Sequence, residues 1–371
     1  MPKIIKRLFT ILILSSFCLS CNKQSSFNPG EKWLDSNNVH INAHGGGVLY
    51  HQGVYYWVGE HKVSGEAGNK AEVGLRIYSS KDLYNWKNEG IGLAVVDEIG
   101  HDIERGSILE RPKIIYNKKT DKFVMWFHLE LKGKGYEAAR TGVAISDSPT
   151  GPYTYLRSYR PNAGFWPLNY PDSLKQLTFN EEYEKWGKEW QQATKRGRFL
   201  HRDFENGQMS RDMTVFVDDD RKAYHISSSE ENQTLHISEL TDDYTNFTGR
   251  YNRVFPSAAN EAPSICKKDD VYYMITSGCS GWKPNPGRSA KTREIMGEWE
   301  SLANPFLGEE AETSFRSQST HIIDIEGKGE QFIYMGDRWT PENAIDGRYI
   351  WLPLEFEDEK PFLNWQNGWS Y

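Results

Sequence analysis

The feature that most constrains this chain is a hairpin unit that occurs five times. Each copy begins at a polar residue, runs on as a strand, turns, and returns as a strand rich in aromatic and β-branched residues. The copies lie at 44–58, 110–127, 212–226, 260–275 and 318–335. Apolar runs separated by Asp, Gly and Lys turns predict β-hairpins. A third strand-like run follows each hairpin, so the repeating unit is a small antiparallel sheet.

Five such units predict an all-β chain folded as a five-bladed β-propeller, because small sheets bury their faces by stacking around an axis. The innermost strand of each blade begins at the axis. Here these strands begin with polar residues: His44, Glu110, Asp212, Glu261 and Gln318. Polar groups that converge on one point are costly to bury unless they are paired. We therefore expect a ligand pocket on the axis.

One insertion interrupts the repeat. It spans 159–208, between blades 2 and 3, and carries a helical pattern at 180–194 with Tyr183, Trp186 and Trp190 on one face. Its basic end at 195–198 is a helix stop signal. The insertion either packs on one face of the propeller or forms a wall of the substrate cleft. Beyond the last repeat, the C-terminal residues 365–371 are expected to close the ring against an early strand.

The N-terminal residues have the pattern of a targeting segment. Residues 1–21 begin with basic residues and continue with an apolar stretch that is too short to span a bilayer. They end in a sequence that resembles a bacterial lipoprotein box, with Cys21 as the lipidated residue. We expect an exported lipoprotein, at the cell surface or in the periplasm, with plain secretion as the alternative. Residues 22–30 are then a polar tether, and the propeller domain spans 31–371.

Composition excludes one class of partner. The formal net charge is −7 and no basic stripe is present. Nucleic-acid binding needs clustered Lys and Arg, so we expect no nucleic-acid partner. The membrane is expected to be contacted only through the lipid anchor. Aromatic residues make up 13% of the chain, which suits both blade packing and sugar binding.

Two cysteines remain in the predicted domain. Cys266 lies opposite about Tyr273 in the predicted hairpin, whereas Cys279 lies opposite about Asn260. This separation is too large for a disulfide. Both thiols are predicted to be free.

Seven short motifs, spread over nearly the whole of the predicted domain, carry a family resemblance. They are YWVGE at 56–60, LERPK at 109–113, SRDM at 210–213, SSEEN at 228–232, NEAP at 260–263, SGCSGWKPN at 277–285 and SQ at 317–318. In this order they resemble the five-bladed glycoside hydrolase family 43, and within it the exo-β-1,3-galactanase (galactan 1,3-β-galactosidase) group. The resemblance implies an inverting exo-enzyme that releases galactose from the non-reducing end of β-1,3-galactan. The expected partner is a β-1,3-linked galacto-oligosaccharide or arabinogalactan, bound by a monomer.

The resemblance assigns the general acid to Glu261. Inverting hydrolysis also needs a base that activates water, with the two groups roughly 6.5–9.5 Å apart. Most of the family uses an Asp at the start of the first blade, which is missing here. In the galactanase group a Gln at the position of Gln318 orients or activates the water, although an ordinary amide is no base. Glu110, a true carboxylate, is the other candidate, and the choice stays open.

The resemblance also implies substrate-binding residues. Glu60 and Asp212 match positions that bind sugar hydroxyls, and Arg111 is expected to contact hydroxyls or to keep Glu110 ionised. Further candidates are Tyr136, on a Gly-rich loop, and two possible stacking platforms, Trp282 and Trp339. No cofactor is expected. His44 and His321 lie near the axis by pattern, but two His do not make an oxygen-rich Ca²⁺ site, so we predict no catalytic metal.

Two other functions fit the same pattern. One is an α-L-arabinofuranosidase or β-xylosidase of the same fold, against which the missing first-blade Asp counts. The other is a non-catalytic glycan-binding propeller, which the missing base favours. Glu261 counts against the second, because a lectin has no use for a proton donor.

Overall fold

The structure is a computed structural model that describes residues 24–179, 182–281 and 283–371. The predicted signal segment, with Cys21, lies outside the described residues. Within these ranges, no helix is both long and apolar enough to cross a membrane.

The chain forms the predicted five-bladed β-propeller, and each blade is one sheet, antiparallel throughout in blades 1 to 4. Blade 1 contains β1 (His44–His51), β2 (Val54–Glu60), β3 (Gly74–Ser80) and β4 (Lys87–Ala94). Blade 2 contains β5 (Ile108–Asn117), β6 (Lys122–Glu130), β7 (Arg140–Ser146) and β8 (Thr154–Tyr159). Blade 3 contains β9 (Met213–Val217), β10 (Ala223–Ser229), β11 (Thr234–Leu240) and β12 (Phe247–Val254).

Blades 4 and 5 complete the ring. Blade 4 contains β13 (Asn260–Lys268), β14 (Val271–Gly278), β15 (Arg288–Thr292) and β16 (Glu300–Leu302). Blade 5 contains β18 (Gln318–Asp324), β19 (Phe332–Arg338), β20 (Arg348–Glu357) and β21 (Lys360–Asn364), and β17 (Phe306–Leu307) pairs parallel to β21. The first strands of neighbouring blades contact one another, so they form the inner ring around the axis.

The core lies between the blades, as the alternating sequence pattern requires. One hydrophobic cluster fills each of the five gaps between neighbouring blades. The gap between blades 5 and 1 is the most aromatic, and it includes Trp57, Trp86, Tyr349 and Trp351. Side chains of this size contribute much of the apolar area that a blade buries.

The predicted tether was wrong for residues 24–30. Phe27 is completely buried in the cluster between blades 5 and 1, and it pairs with Trp369 as an isolated antiparallel bridge. The C-terminal residues therefore meet a segment that precedes the first blade, rather than an early strand of a sheet. An aromatic side chain at position 27 cannot stay in water at low cost while this apolar cleft lies within its reach.

The predicted helix at 180–194 was wrong at its start. The insertion contains a 3₁₀ turn (Asp172–Leu174) and two short helices, α1 (Lys188–Lys195) and α2 (Arg198–Arg202). Tyr183 and Trp186 precede α1, because Trp186 adopts a left-handed φ of 71° and Gly187 forms the N-cap. The predicted stop was right, since α1 ends at Lys195 and Gly197 follows with φ 92°.

The two cysteines are free, as predicted. Cys266 pairs with Tyr273 across the hairpin of blade 4. Cys279 follows the end of β14 and is exposed. The hairpin register places the two sulfur atoms at opposite ends of the blade.

Candidate active site

A pocket of about 310 Å³ opens at the end of the axis where the innermost strands begin. Eight of the predicted site residues line it: Glu60, Glu110, Arg111, Tyr136, Asp212, Glu261, Gln318 and Trp339. Trp282, the other predicted platform, lies outside the described residues. A larger cavity of about 750 Å³ lies at the other end of the axis, where the hairpin turns surround it. The smaller pocket is the candidate site, because it gathers the buried carboxylates.

Irregular backbone at the start of the inner strands aims the side chains into this pocket. In four blades the strand register shifts just after the first residues: at 44–47, 110–113, 261–264 and 319–321. In three of these blades the residue directly after the start of the shift has positive φ: Gly45 (59°), Arg111 (56°) and Ala262 (51°). A bulge bends a strand and redirects its side chains. Consecutive residues such as Glu110 and Arg111 can therefore both face the pocket.

Glu261 is a pocket carboxyl group with a pKa near neutral pH. It is only 9% exposed, and burial, reinforced by the charge of Asp212, raises its pKa to about 7. Asn232 donates a 2.6 Å hydrogen bond to its Oε1, and Arg111 and the thiol of Cys279 oppose the rise in pKa. The group is thus poised to give and take a proton at the pH where enzymes work.

Glu110, in contrast, is held in its ionised state. Burial alone would raise its pKa, but a contact from His128 at 3.2 Å, Lys62 and the hydroxyl of Tyr136 at 2.8 Å lower it to about 2. His128 also contacts Glu130 at 2.9 Å. Although burial disfavours its charged form, these two carboxylates raise the pKa of His128 to about 9. Glu110 is therefore ionised and His128 is a cation at neutral pH.

Arg111 links three blades at the pocket floor. Its guanidinium donates to Ser319 O at 2.8 Å, to Asp212 Oδ2 at 3.1 Å and to the side-chain oxygen of Gln318. Gln318 donates in turn from Nε2 to Ser277 Oγ at 2.9 Å. These bonds orient the Gln318 amide, with its oxygen toward Arg111 and its nitrogen toward blade 4.

Glu60 and Trp339 complete the wall next to blade 1. Glu60 accepts a 2.9 Å hydrogen bond from the backbone N–H of Arg111 and forms an ion pair with buried Lys62. Burial raises the pKa of Glu60, while Lys62 acts against that rise. The Trp339 ring lies beneath two cations, with Lys62 Nζ at 5.2 Å and the Arg111 guanidinium at 5.9 Å from its centroid.

His44, the first residue of blade 1, does not line the pocket, although the propeller pattern places it on the axis. It is completely buried and stacks on Trp339 at 5.1 Å. Burial lowers its pKa well below the ordinary value, so it is neutral. Its neighbour Asp337 accepts a 2.5 Å hydrogen bond from Gly45 N, and burial raises the pKa of Asp337 to about 7.

One group of side chains has the spacing of a metal site. The ligand atoms of Glu110, His128 and Asp212 all lie within 4.8 Å of one another. In this structure His128 lies between the carboxylates of Glu110 and Glu130, at 3.2 and 2.9 Å. The ion pairs account for this cluster, and the absence of a catalytic metal stays a prediction.

Sequence reasoning missed three residues that set the chemistry of this site: Lys62, His128 and Asn232. His128 lies opposite Glu110 only because the bulge at 110–113 shifts the β5–β6 register, so a regular hairpin alignment would not have found it. Asn232 lies in a motif that the family resemblance quoted, but without a role. Of the described residues in 159–208, none lines the pocket.

Known proteins share this fold and sequence. The model for glycosyl hydrolases family 43 matches residues 188–361. A family 43 β-1,3-galactosidase solved with galactodeoxynojirimycin is 54% identical, with TM-score 0.91 over 93% of this chain and 100% of that chain. An exo-β-1,3-galactanase from Phanerochaete chrysosporium with β-1,3-galactotriose is 30% identical, with TM-score 0.75 over 94% of this chain and 68% of that one. An exo-β-1,3-galactanase from Clostridium thermocellum is 34% identical, with TM-score 0.74 over 92% and 66%. No curated protein sequence matches the chain.

The pocket of this propeller holds one carboxyl group protonated and another ionised. Such a pair of groups is suited to glycosidic bond cleavage. With these similarities, the protein is a glycoside hydrolase. The 54% identity to a relative that is covered over its full length sets the family. The chain belongs to glycoside hydrolase family 43.

Proposed function

We propose that this enzyme is an exo-acting, inverting glycoside hydrolase that releases galactose from the non-reducing end of β-1,3-galactan. Relatives named β-1,3-galactosidase or exo-β-1,3-galactanase align over more than nine-tenths of the chain. The observation that carries the proposal for this chain is Glu261, a buried carboxyl group whose pKa is about 7.

In the proposed mechanism Glu261 protonates the oxygen of the departing sugar. Desolvation keeps the proton on this group until the glycosidic oxygen takes it. General acid catalysis of this kind contributes on the order of 10²- to 10⁴-fold to a rate. Asn232 and Arg111 then stabilise the carboxylate that is left, since both interactions favour the charged form.

The water-positioning role is assigned to Gln318 rather than to Glu110. Gln318 orients the water that attacks the anomeric carbon, and this water releases its proton to solvent as the new C–O bond forms and the bond to the departing sugar breaks. A carboxylate with a pKa of about 2 is a weak base, and Tyr136 and His128 each take one acceptor site on it. The Gln318 amide is held at both ends, and its second N–H and second lone pair have no partner among the described residues, so they can orient a water molecule. Glu110 is then proposed to accept hydrogen bonds from sugar hydroxyls.

Hydrolysis of β-1,3-galactobiose and β-1,3-galactan tests the proposal, with galactose measured by chromatography and its first anomer by NMR. Wild type should release α-galactose, the inverted product. Glu261→Gln should lose activity, and an aryl galactoside with a good leaving group should restore it. Gln318→Glu and Glu110→Gln separate the water-positioning role from substrate binding, because the first should change kcat and the second mainly KM.

Other outcomes identify the alternatives. Binding of galactan without turnover would favour a non-catalytic glycan-binding propeller. Turnover of arabinosyl or xylosyl substrates in place of galactosyl ones would retain the acid and discard the proposed specificity. Release of β-galactose would contradict the inverting mechanism.

We further propose that the protein is exported and anchored through a lipid on Cys21. The support is the basic, apolar and small-residue order of residues 1–21. Metabolic labelling with a palmitate analogue tests this, with Cys21→Ser as the variant that should lose the label. Unlabelled protein in the medium would indicate plain secretion.

A further inference from the structure

A three-residue turn beside the pocket has a strained backbone conformation that neighbouring residues must stabilise. Glu230, Glu231 and Asn232 adopt positive φ angles of 52°, 58° and 61°. Three consecutive left-handed residues are uncommon outside glycine, because the Cβ atom crowds the following carbonyl. The turn persists only where neighbouring groups hold it.

The turn delivers one hydrogen bond to the general acid. Asn232 Nδ2 donates to Glu261 Oε1 at 2.6 Å, while its Oδ1 accepts from Arg211 Nη1 at 3.3 Å. Both ends of the amide are thus occupied, so its orientation is set. Any movement of the turn changes the length of the bond to Glu261.

The insertion between blades 2 and 3 holds this turn at two points. Arg202, the last residue of α2, donates from Nη1 to Glu231 Oε1 at 2.7 Å, and Asp203 fixes the other edge of its guanidinium at 2.7 and 2.8 Å. At the second point, buried Glu230 pairs with Arg253 at 2.6 and 2.7 Å. Arg253 in turn donates to the last carbonyls of α1, at 194 and 195, at 2.8 and 3.0 Å.

We propose that the insertion positions the catalytic acid, and that Arg202 is a positioning residue that acts on Glu261 through Glu231 and Asn232. This inference rests on the proposed role of Glu261. The insertion then has a role in catalysis, although none of its described residues lines the pocket. Arg202 is 42% exposed and touches neither the pocket nor Glu261. Besides Asp203 and the Met209 sulfur, it contacts Glu231, which connects it to the turn.

The acid has other charged or hydrogen-bonding neighbours that stay unchanged in the test. Asp212, Arg111, Cys279 and Arg288 each act on Glu261 from other elements. A hydrogen bond to the carboxylate form lowers a pKa. Weakening the Asn232 bond therefore raises the pKa of Glu261, and the alkaline limb of the pH profile moves to higher pH.

A double-mutant cycle on the full chain tests the inference, with kcat and the pH profile for β-1,3-galactobiose as readouts. Arg202→Ala should lower kcat about two- to fivefold, the scale of a partly exposed ion pair, and move the alkaline limb upward. Asn232→Ala should lower kcat roughly tenfold or more and move the limb further. Arg202→Ala in the Asn232→Ala background should cause no further change in either readout, because the route through Asn232 is already lost.

Two variants separate positioning from general stability. Arg202→Lys keeps the charge opposite Glu231 and should restore most of kcat. Lys175→Ala removes an exposed ion pair with Asp172 inside the insertion and should leave the pH profile in place. Additive losses from Arg202→Ala and Asn232→Ala, or an unmoved limb in both, would overturn the inference while the proposed function stands. Absence of turnover in wild type would overturn both.

Discussion

Glu261 and Glu110 line the same pocket and differ in what surrounds each carboxyl group. Glu261 faces another carboxylate, Asp212, and accepts a neutral amide donor. Glu110 faces the imidazolium of His128 and a phenol hydroxyl. The same side chain type is thereby protonated in one place and ionised in the other, which is how one fold runs acid chemistry at neutral pH.

The first prediction concerns the pH dependence of wild type. A general acid must be protonated to act, so kcat/KM should fall as pH rises through the pKa of Glu261, about 7. Because the pKa of Glu110 is about 2, this residue should cause no acid limb above that pH. Initial rates on β-1,3-galactobiose from pH 3 to 9 measure the profile. A flat alkaline side up to pH 9 would contradict the assignment of Glu261.

The second prediction concerns His128→Gln. The neutral amide removes the cation next to Glu110, so the pKa of Glu110 should rise to or above the ordinary Glu value of about 4.3. A new acid limb should then appear in kcat/KM near pH 4–5. His225→Gln, which alters an equally buried imidazole in blade 3, serves as the control. It should lower stability and leave the acid side of the profile unchanged.

At the scale of elements, the bulges at the start of the inner strands determine which side chains face the axis. A regular strand turns successive side chains to opposite faces. The bulges at 110–113 and 261–264 interrupt that alternation next to the two key carboxylates. The positive φ of the residue that follows each carboxylate is the local sign of the same irregularity.

The third prediction tests the equivalent position of blade 1. A Cβ added at Gly45 would lie 2.1 Å from Glu60 Oε1, whereas one added at Gly53 meets nothing within 4 Å. Both glycines have positive φ, at 59° and 85°, so Ala at either site carries a backbone cost of about 1–2 kcal/mol. Only Gly45→Ala should also displace Glu60, with a loss on the order of 10- to 100-fold in kcat/KM. Equal activities for the two variants would contradict this.

At the scale of the whole molecule, the ring is closed by packing rather than by a shared sheet. Blades 5 and 1 each keep their own strands, and the aromatic cluster between them joins the two ends of the ring. Phe27 lies at the centre of that closure. Its ring lies 4.6 Å from both Tyr84 and Trp369, and 5.7 Å from Trp351.

The fourth prediction is that Phe27→Ala destabilises the fold by about 3–5 kcal/mol, the cost of removing a large core side chain. Denaturant unfolding, followed by Trp fluorescence, measures the free energy of unfolding. The kcat at 25 °C should stay close to that of wild type, because Phe27 lies outside the pocket. Val39→Ala, at a side chain that is 57% exposed, is the control and should change stability by less than about 0.5 kcal/mol. A similarly small effect from Phe27→Ala would mean that the ring closes without it.

The propeller architecture could be predicted from the sequence because the strand and turn patterns that indicate it are local. A strand, its turn and its return strand lie within about twenty residues of each other in every copy. Five copies then set the number of blades, and the polar residue at the start of each copy marked the axis. The family resemblance predicted Glu261 as the acid, and eight of the nine predicted site residues line the pocket.

Tertiary structure alone decided the state of each group. The partners that determine the charge of a carboxylate come from distant parts of the chain, as with Asn232 and Glu261, or depend on a register that a bulge has shifted, as with His128 and Glu110. A pKa depends on burial and on charges through space, which no local pattern records. Tertiary structure also decided the burial of Phe27, because its sequence neighbours are polar and give no sign of the apolar cleft that it fills. Likewise, Arg202 contacts Glu231 only because the insertion folds back on blade 3.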